Sequence, residues 1–151
     1  MGNSPSNPAA PDLTTAAAPL ELNLTSDPAN LAAARKAVED YVLARGMPRS
    51  VADEVGLVVN EALANVYRHA YHGQTGKPVV VRIEAAGGDA VTLSIRDWGT
   101  GENPDAKLWA AKDPMKPGGL GLVCMRQLMQ DVRFEPQSGG GMLLTMVKRK
   151  E

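Results

Sequence analysis

One helical stretch, from about Ser50 to Tyr71, constrains this chain more than any other part of it. At 3.6 residues per turn, Val51, Val55, Val58, Val59, Ala62, Leu63 and Val66 fall on one arc, and a stripe of that width must face a core. Ser50 is placed to cap the start, with Asp53 three residues on in a capping-box-like arrangement. Glu61, Asn65 and His69 recur every four residues along one shoulder of the arc. Each step of four drifts by only about 40°, so these side chains form a twisting polar row that moves into the apolar stripe. A carboxylate and a carboxamide half inside a core edge must be paired or must serve a ligand. The plain alternative is a polar shoulder facing water, with His69 satisfied by a backbone carbonyl.

The other elements supply the layer that this stripe needs. Residues 1–19 are rich in Ala, Pro, Ser and Asn and read as a disordered leader, leaving 20–151 as one domain. Leu20-Glu21-Leu22-Asn23-Leu24 alternates strictly and predicts a strand. Asp27 and Pro28 then start a helix with Leu31, Val38, Tyr41 and Val42 on its apolar face, which Gly46 and Pro48 end. Val79–Glu84 and Val91–Arg96 alternate around Gly87-Gly88-Asp89 and predict a hairpin. Val91, Leu93 and Ile95 share a face, and the next residue on that face is Asp97. A carboxylate there is costly unless something binds it, though Asp is also common at the start of a turn.

From Trp98 to Gly119 the chain reads as a long loop of the kind that forms functional lids. A third helix follows from Leu120 to about Asp131, with Leu122, Met125, Leu128, Met129 and Val132 towards the core. Arg133-Phe134 opens a strand, Gly139-Gly140-Gly141 turns it, and Met142–Lys148 closes the sheet. The fold class expected is α+β: a two-layer sandwich with one mixed sheet covered on one face by three helices.

Composition removes several function classes. Sixteen basic against seventeen acidic residues leave no electrostatic footprint for nucleic acid or an anionic membrane. No apolar run is long enough to span a bilayer, and the N-terminus lacks the regions of a secretory signal. Met1-Gly2 with Ser6 fits a myristoylation pattern formally, but the nearby prolines favour a plain leader. The single cysteine, Cys124, rules out an internal disulfide, fits a reducing cytoplasm, and with two histidines makes a poor zinc inventory.

Three pieces remain to carry chemistry: Glu61-x-x-x-Asn65 on a helix, Asp97-x-Gly99-x-Gly101 after a strand, and Gly119-Leu120-Gly121 opening a helix. In this order they resemble the ATP site of the GHKL superfamily, whose fold is the Bergerat fold. Within it, "NEALANVYRHAY", "RDWGTG" and "GGLGLVCMRQLMQDVRF" look like the anti-sigma-factor serine kinases of bacterial partner-switching systems, from about Leu20 to the C-terminus. The resemblance implies ATP and Mg²⁺ as cofactors, a STAS-domain anti-sigma-factor antagonist and a sigma factor as partners, and a cytoplasmic homodimer.

It also implies roles. Asp97 would accept a hydrogen bond from the exocyclic amine of adenine, and Gly99 and Gly101 would let backbone approach the nucleotide. Gly119, Leu120 and Gly121 would set bare N–H groups at a helix N-terminus against the phosphates. Asn65 would offer Mg²⁺ a neutral oxygen, and Glu61 would act as general base toward a partner's serine. His69 reads as a support for the helix, Arg68 and His72 as surface residues. Lys112 and Lys116 either meet the terminal phosphate or are solvated. The sequence departs from the family where many relatives carry a threonine after the glycine that begins the last strand; here Met142 follows Gly141. Two rivals stand beside this reading. One is a non-catalytic module that uses ATP while sequestering a partner. The other is the ATPase half of a sensor histidine kinase, for which no second domain or free phosphoacceptor histidine remains.

Overall fold

Five strands and two long helices account for most of residues 18–86, 89–100 and 125–150, the part of the chain that the computed structural model describes. Most of the leader, most of the long loop, and Gly101, Lys112, Lys116, Gly119, Leu120, Gly121, Leu122 and Cys124 lie outside the described residues. Strand β1 (Leu20–Thr25) alternates as expected, with its leucines half-buried and Glu21, Asn23 and Thr25 exposed. Helix α1 (Asn30–Ala44) buries Ala34, Val38 and Val42. The Asp27 carboxylate accepts a hydrogen bond from the Ala29 N–H at 2.9 Å, so it caps the turn leading into α1 rather than the helix itself. Helix α2 (Arg49–Asn65) buries every member of the predicted stripe that it contains. Its N-cap is Pro48, with no side-chain cap bond. Ser50, expected as the cap, instead lies within the first turn.

The remaining strands are β2 (Pro78–Ala86), β3 (Ala90–Asp97), β4 (Gln130–Pro136) and β5 (Met142–Arg149). They form one sheet in the order β1-β2-β3-β5-β4. The two-layer sandwich stands, but the expected mixed sheet is corrected: all four pairings of these strands are antiparallel. The helical pair α1–α2 returns the chain to the end of the sheet it left, so β2 runs against β1. Strands β3 and β4 point the same way, yet β5 is inserted between them, so no parallel pair forms.

The core lies between sheet and helices. Val79, Val81 and Ile83 of β2, Leu93 and Ile95 of β3, and Met146 of β5 meet Val55, Val58, Val59 and Ala62 of α2. One helical turn, 125–128, is described of the third helix, and it puts Met125 into the core. That helix stops earlier than its sequence pattern predicts. Asp131 takes a left-handed φ of 54°, and the β4–β5 register slips between Gln130 and Arg133, so the strand begins three residues sooner than expected.

Candidate functional site

The predicted helix does not run on regularly to Tyr71. At Asn65 the α-helical ladder gives way to a single π-turn, Val66–Ala70, closed by the Tyr71 N–H donating to the Val66 carbonyl at 3.0 Å. On a continuous α-helix Tyr71 would sit about 140° round from Val66. The i→i+5 closure brings it nearly above Val66 instead, and Tyr71 is buried as a result. Glu61 and His69 are half-buried, whereas Asn65 is only 6% exposed. The Asn65 side-chain oxygen, Oδ1, accepts a hydrogen bond from Arg68 Nη2 at 3.2 Å. Arg68 is exposed, as expected, but it is also the partner of the proposed metal ligand.

The facing wall comes from the end of β3. Alternation along that strand buries Val91, Leu93, Ile95 and then Asp97, which is 5% exposed. The carboxylate accepts from the Gly99 N–H at 2.9 Å, and the Met142 N–H lies near enough to favour its charged form. Burial nevertheless raises its pKa above the ordinary Asp value; the Gly99 and Met142 N–H groups and the nearby Arg96 charge oppose the rise. Arg96 also fastens the backbone here. Its guanidinium donates to the Asp97 and Gly140 carbonyls and stacks on the Trp98 ring, 4.4 Å from the centroid.

Two glycines let these pieces come together. A Cβ on Gly141, which has φ of +81°, would lie 2.0 Å from the Asp97 carbonyl oxygen. A Cβ on Gly99 would lie 2.3 Å from the Ala70 carbonyl oxygen. The crowding at Gly99 therefore comes from the end of the site helix, a constraint distinct from the nucleotide approach expected of it. The Thr100 N–H completes this junction by donating to the same Ala70 carbonyl at 3.1 Å.

Between the two walls lies a cleft with about 460 Å³ of empty space, open to solvent. Its polar members are Asn65, His69 and Asp97; Ile95, Met125, Phe134, Met142 and Leu144 supply most of the apolar lining. A mostly apolar cleft with a few convergent polar groups is the usual form of a small-molecule site. The structure thus brings Asn65, Asp97 and the approach of Gly99 to one place. Glu61, one turn before Asn65, is not among the described residues that line the cleft. Sequence reasoning missed the lining roles of Phe134 and Met142 and the inward turn of Tyr71. The alternation of β4 and β5 carried the signal for the first two.

This cleft, at one end of a five-stranded sheet backed by helices, puts the protein in the class of GHKL, or Bergerat-fold, sandwiches. Residues 24–148 match the histidine kinase-like ATPase domain, and the protein belongs to that family. It is similar to the anti-sigma F factor of Pasteuria penetrans, 28% identical over 135 residues that cover 86% of this chain and 89% of the relative. The anti-sigma F factor of Clostridium acetobutylicum is 26% identical over 135 residues, covering 86% and 92%. Among solved structures, the RsbU and RsbW domains of Rv1364c from Mycobacterium tuberculosis superpose with a TM-score of 0.65 at 19% identity, over 88% of this chain and 32% of that one. The SiaB–SiaC complex from Pseudomonas aeruginosa gives 0.63 at 18% identity, over 85% and 87%. At these identities the structural likeness carries the fold. Among the described residues no helix is long and apolar enough to cross a membrane, and no three His, Cys, Asp or Glu side chains cluster as a metal site.

Proposed function

We propose that this protein is an ATP-dependent protein-serine kinase that also acts as an anti-sigma factor, phosphorylating a serine of a STAS-domain antagonist and working as a dimer. The observation that carries the reading is the convergence of Asn65 and Asp97 on one apolar cleft. Its family membership and its similarity to anti-sigma F factors support the partners. Adenine would occupy the apolar part of the cleft, with its exocyclic amine donating to the Asp97 carboxylate. The Gly99 N–H already holds that carboxylate in place. Asn65 fits a metal that arrives with the nucleotide phosphates, because it offers a single neutral oxygen and Mg²⁺ usually takes only one or two protein ligands there. When bound, the ion would neutralise charge on the phosphates.

In the transfer, the partner's serine oxygen bonds to the terminal phosphorus of ATP, the bond to the bridging oxygen breaks, and ADP leaves. Glu61 takes the serine proton. A positioned base of this kind contributes about 10²–10⁴-fold to rate, with positioning and electrostatics supplying much of the rest. Phosphate on the antagonist would add charge at the interface and release it from the kinase.

A second reading, a binding switch without catalysis, is favoured by one observation: Glu61 is not among the described residues that line the cleft. Phosphate transfer from labelled ATP to the antagonist, compared between the parent and Glu61→Ala, separates the two. The kinase reading expects transfer to fall at least 100-fold while ATP binding persists. Equal transfer by both proteins would remove Glu61 as the base; no transfer by the parent would leave the binding switch.

A further inference from the structure

The Tyr71 hydroxyl occupies an unusual place in the sheet. It donates to the Pro78 carbonyl at 2.6 Å and accepts from the Trp98 N–H at 2.8 Å. In the β2–β3 register Val79 faces Asp97, so the pair that would come next is Pro78 with Trp98. The hydroxyl therefore stands between the two backbone groups that would have continued the ladder. Pro78 has no N–H and could return only half of a reciprocal pair, which leaves the opening to the tyrosine. The ladder ends at Asp97. Beyond it the chain turns so that the Gly99 N–H reaches back to the Asp97 carboxylate and the Thr100 N–H reaches Ala70.

We propose that Tyr71 is a positioning residue for base recognition: its hydroxyl sets where residues 97–99 leave the sheet, and so aims the Asp97 carboxylate into the cleft. The inference rests on the reading of Asp97 as the acceptor for the adenine amine. The π-turn is what makes this possible, because it carries Tyr71 to the inner side, 6% exposed and against the Asp97 strand. Burial pushes the phenol pKa up; the Asp97 charge adds to the rise, while the Trp98 N–H and the Arg96 charge oppose it. The group thus stays a neutral hydroxyl, able to donate and accept at once. With phenylalanine there, the Trp98 N–H and the Pro78 carbonyl lose their shared partner and can close on each other, which would draw Asp97 along the strand.

The test is discrimination between ATP and ITP, which differ where adenine carries its amine and hypoxanthine a carbonyl. Affinities are measured by calorimetry at a temperature where circular dichroism shows each protein folded. Asp97→Asn should reduce the preference for ATP at least 10-fold; an unchanged preference there overturns the reading of Asp97, and the inference with it. Given that loss, Tyr71→Phe should reduce the preference by about 3- to 10-fold, the loss of one well-placed hydrogen bond. A merely structural role would lower the melting temperature and leave the ratio at the parent's value, which would overturn the proposal. A second measurement needs no variant. In the parent without nucleotide, the Trp98 amide should resist hydrogen exchange, and ATP should add little protection. A Trp98 amide that exchanges freely until ATP is added would show that the strand end is not preset, and would equally overturn it.

Discussion

Burial and hydrogen bonding act against each other on the Asp97 carboxyl. Its pKa is raised, first by desolvation, with the Gly99 and Met142 N–H groups and Arg96 pulling it back. A carboxyl whose pKa is higher in the folded than in the unfolded chain favours folding below its unfolded pKa, and that contribution is lost as pH rises through the folded value. Asp97 therefore opposes folding at neutral pH, the reverse of a salt-bridged aspartate. The difference in unfolding free energy, parent minus Asp97→Asn, should grow as pH falls from neutral into the carboxylate range. Denaturant titrations at a series of pH values check it, and a difference that shrinks would contradict the assignment. Nucleotide affinity should move the other way, falling over the same range, because protonation removes the charge that makes the carboxylate a strong acceptor for the adenine amine. This residue was legible from alternation along β3 alone, since period two fixes which face each side chain takes. The nearby Met142 N–H was not, because Met142 is 45 positions away and comes beside Asp97 only at the end of the β3–β5 pairing.

At the level of elements, the site depends on how the end of the α2 segment meets the end of β3. Gly99 and Thr100 both lie against the Ala70 carbonyl, the last residue of the π-turn. The loop Tyr71–Lys77 that follows is itself fastened to the end of β1. Buried Ser26 donates from its N–H to the Lys77 carbonyl and from Oγ to the Gln74 carbonyl, and Oγ accepts from the Lys77 N–H. With Ala70 held on both sides, a methyl at position 99 has little room to push it away. Gly99→Ala should cost about 1–3 kcal/mol of stability, in the range of an overpacked core. It should also weaken ATP binding, read by chemical denaturation and calorimetry on the same protein. A neutral result would show that the junction yields. The period of 3.6 in the valines made α2 readable to Asn65, and the apolar stripe facing the sheet is as expected. The π-turn was not readable, because nothing local in Val66–Ala70 demands an i→i+5 bond. What holds it in place is the burial of Tyr71 and the reach of its hydroxyl to Pro78 and Trp98, contacts made outside the turn itself and, at Trp98, 27 residues along the chain. The antiparallel order of the sheet was hidden for the same reason: the insertion of β5 beside β3 is a choice between distant strands.

Over the whole molecule, a charged side chain helps join the two layers at the end of the sheet away from the cleft. Lys148 points inward in register with Met142, Leu144 and Met146 of β5, and its side chain is 12% exposed. Its ammonium group donates to the Leu128 carbonyl at 2.6 Å and pairs with the Glu54 carboxylate at 2.7 Å. One residue thereby ties β5 to α2 and to the end of the third helix. The Glu54 side chain is 38% exposed, so solvent screens the ion pair and its share is modest. The bond to the Leu128 carbonyl carries the larger part, because removing a buried charged donor leaves its acceptor unpaired. Lys148→Met keeps the length of the stem and deletes both contacts, and the expected loss is about 1–3 kcal/mol. The cleft lies at the Met142 end of the same strand, six residues or about 20 Å away at the rise of an antiparallel strand. Effects at that separation are usually additive, and the shared element is only the turn 125–128, which carries both Leu128 and the cleft residue Met125, so the ATP dissociation constant of the folded variant should stay within about 2-fold of the parent's. Denaturation and calorimetry on this one variant decide whether the two ends of the sheet are independent. A large loss of affinity with little loss of stability would mean that the helical layer transmits strain along α2 from Glu54 to Asn65, and the cleft would then answer to whatever binds the far end of the sandwich.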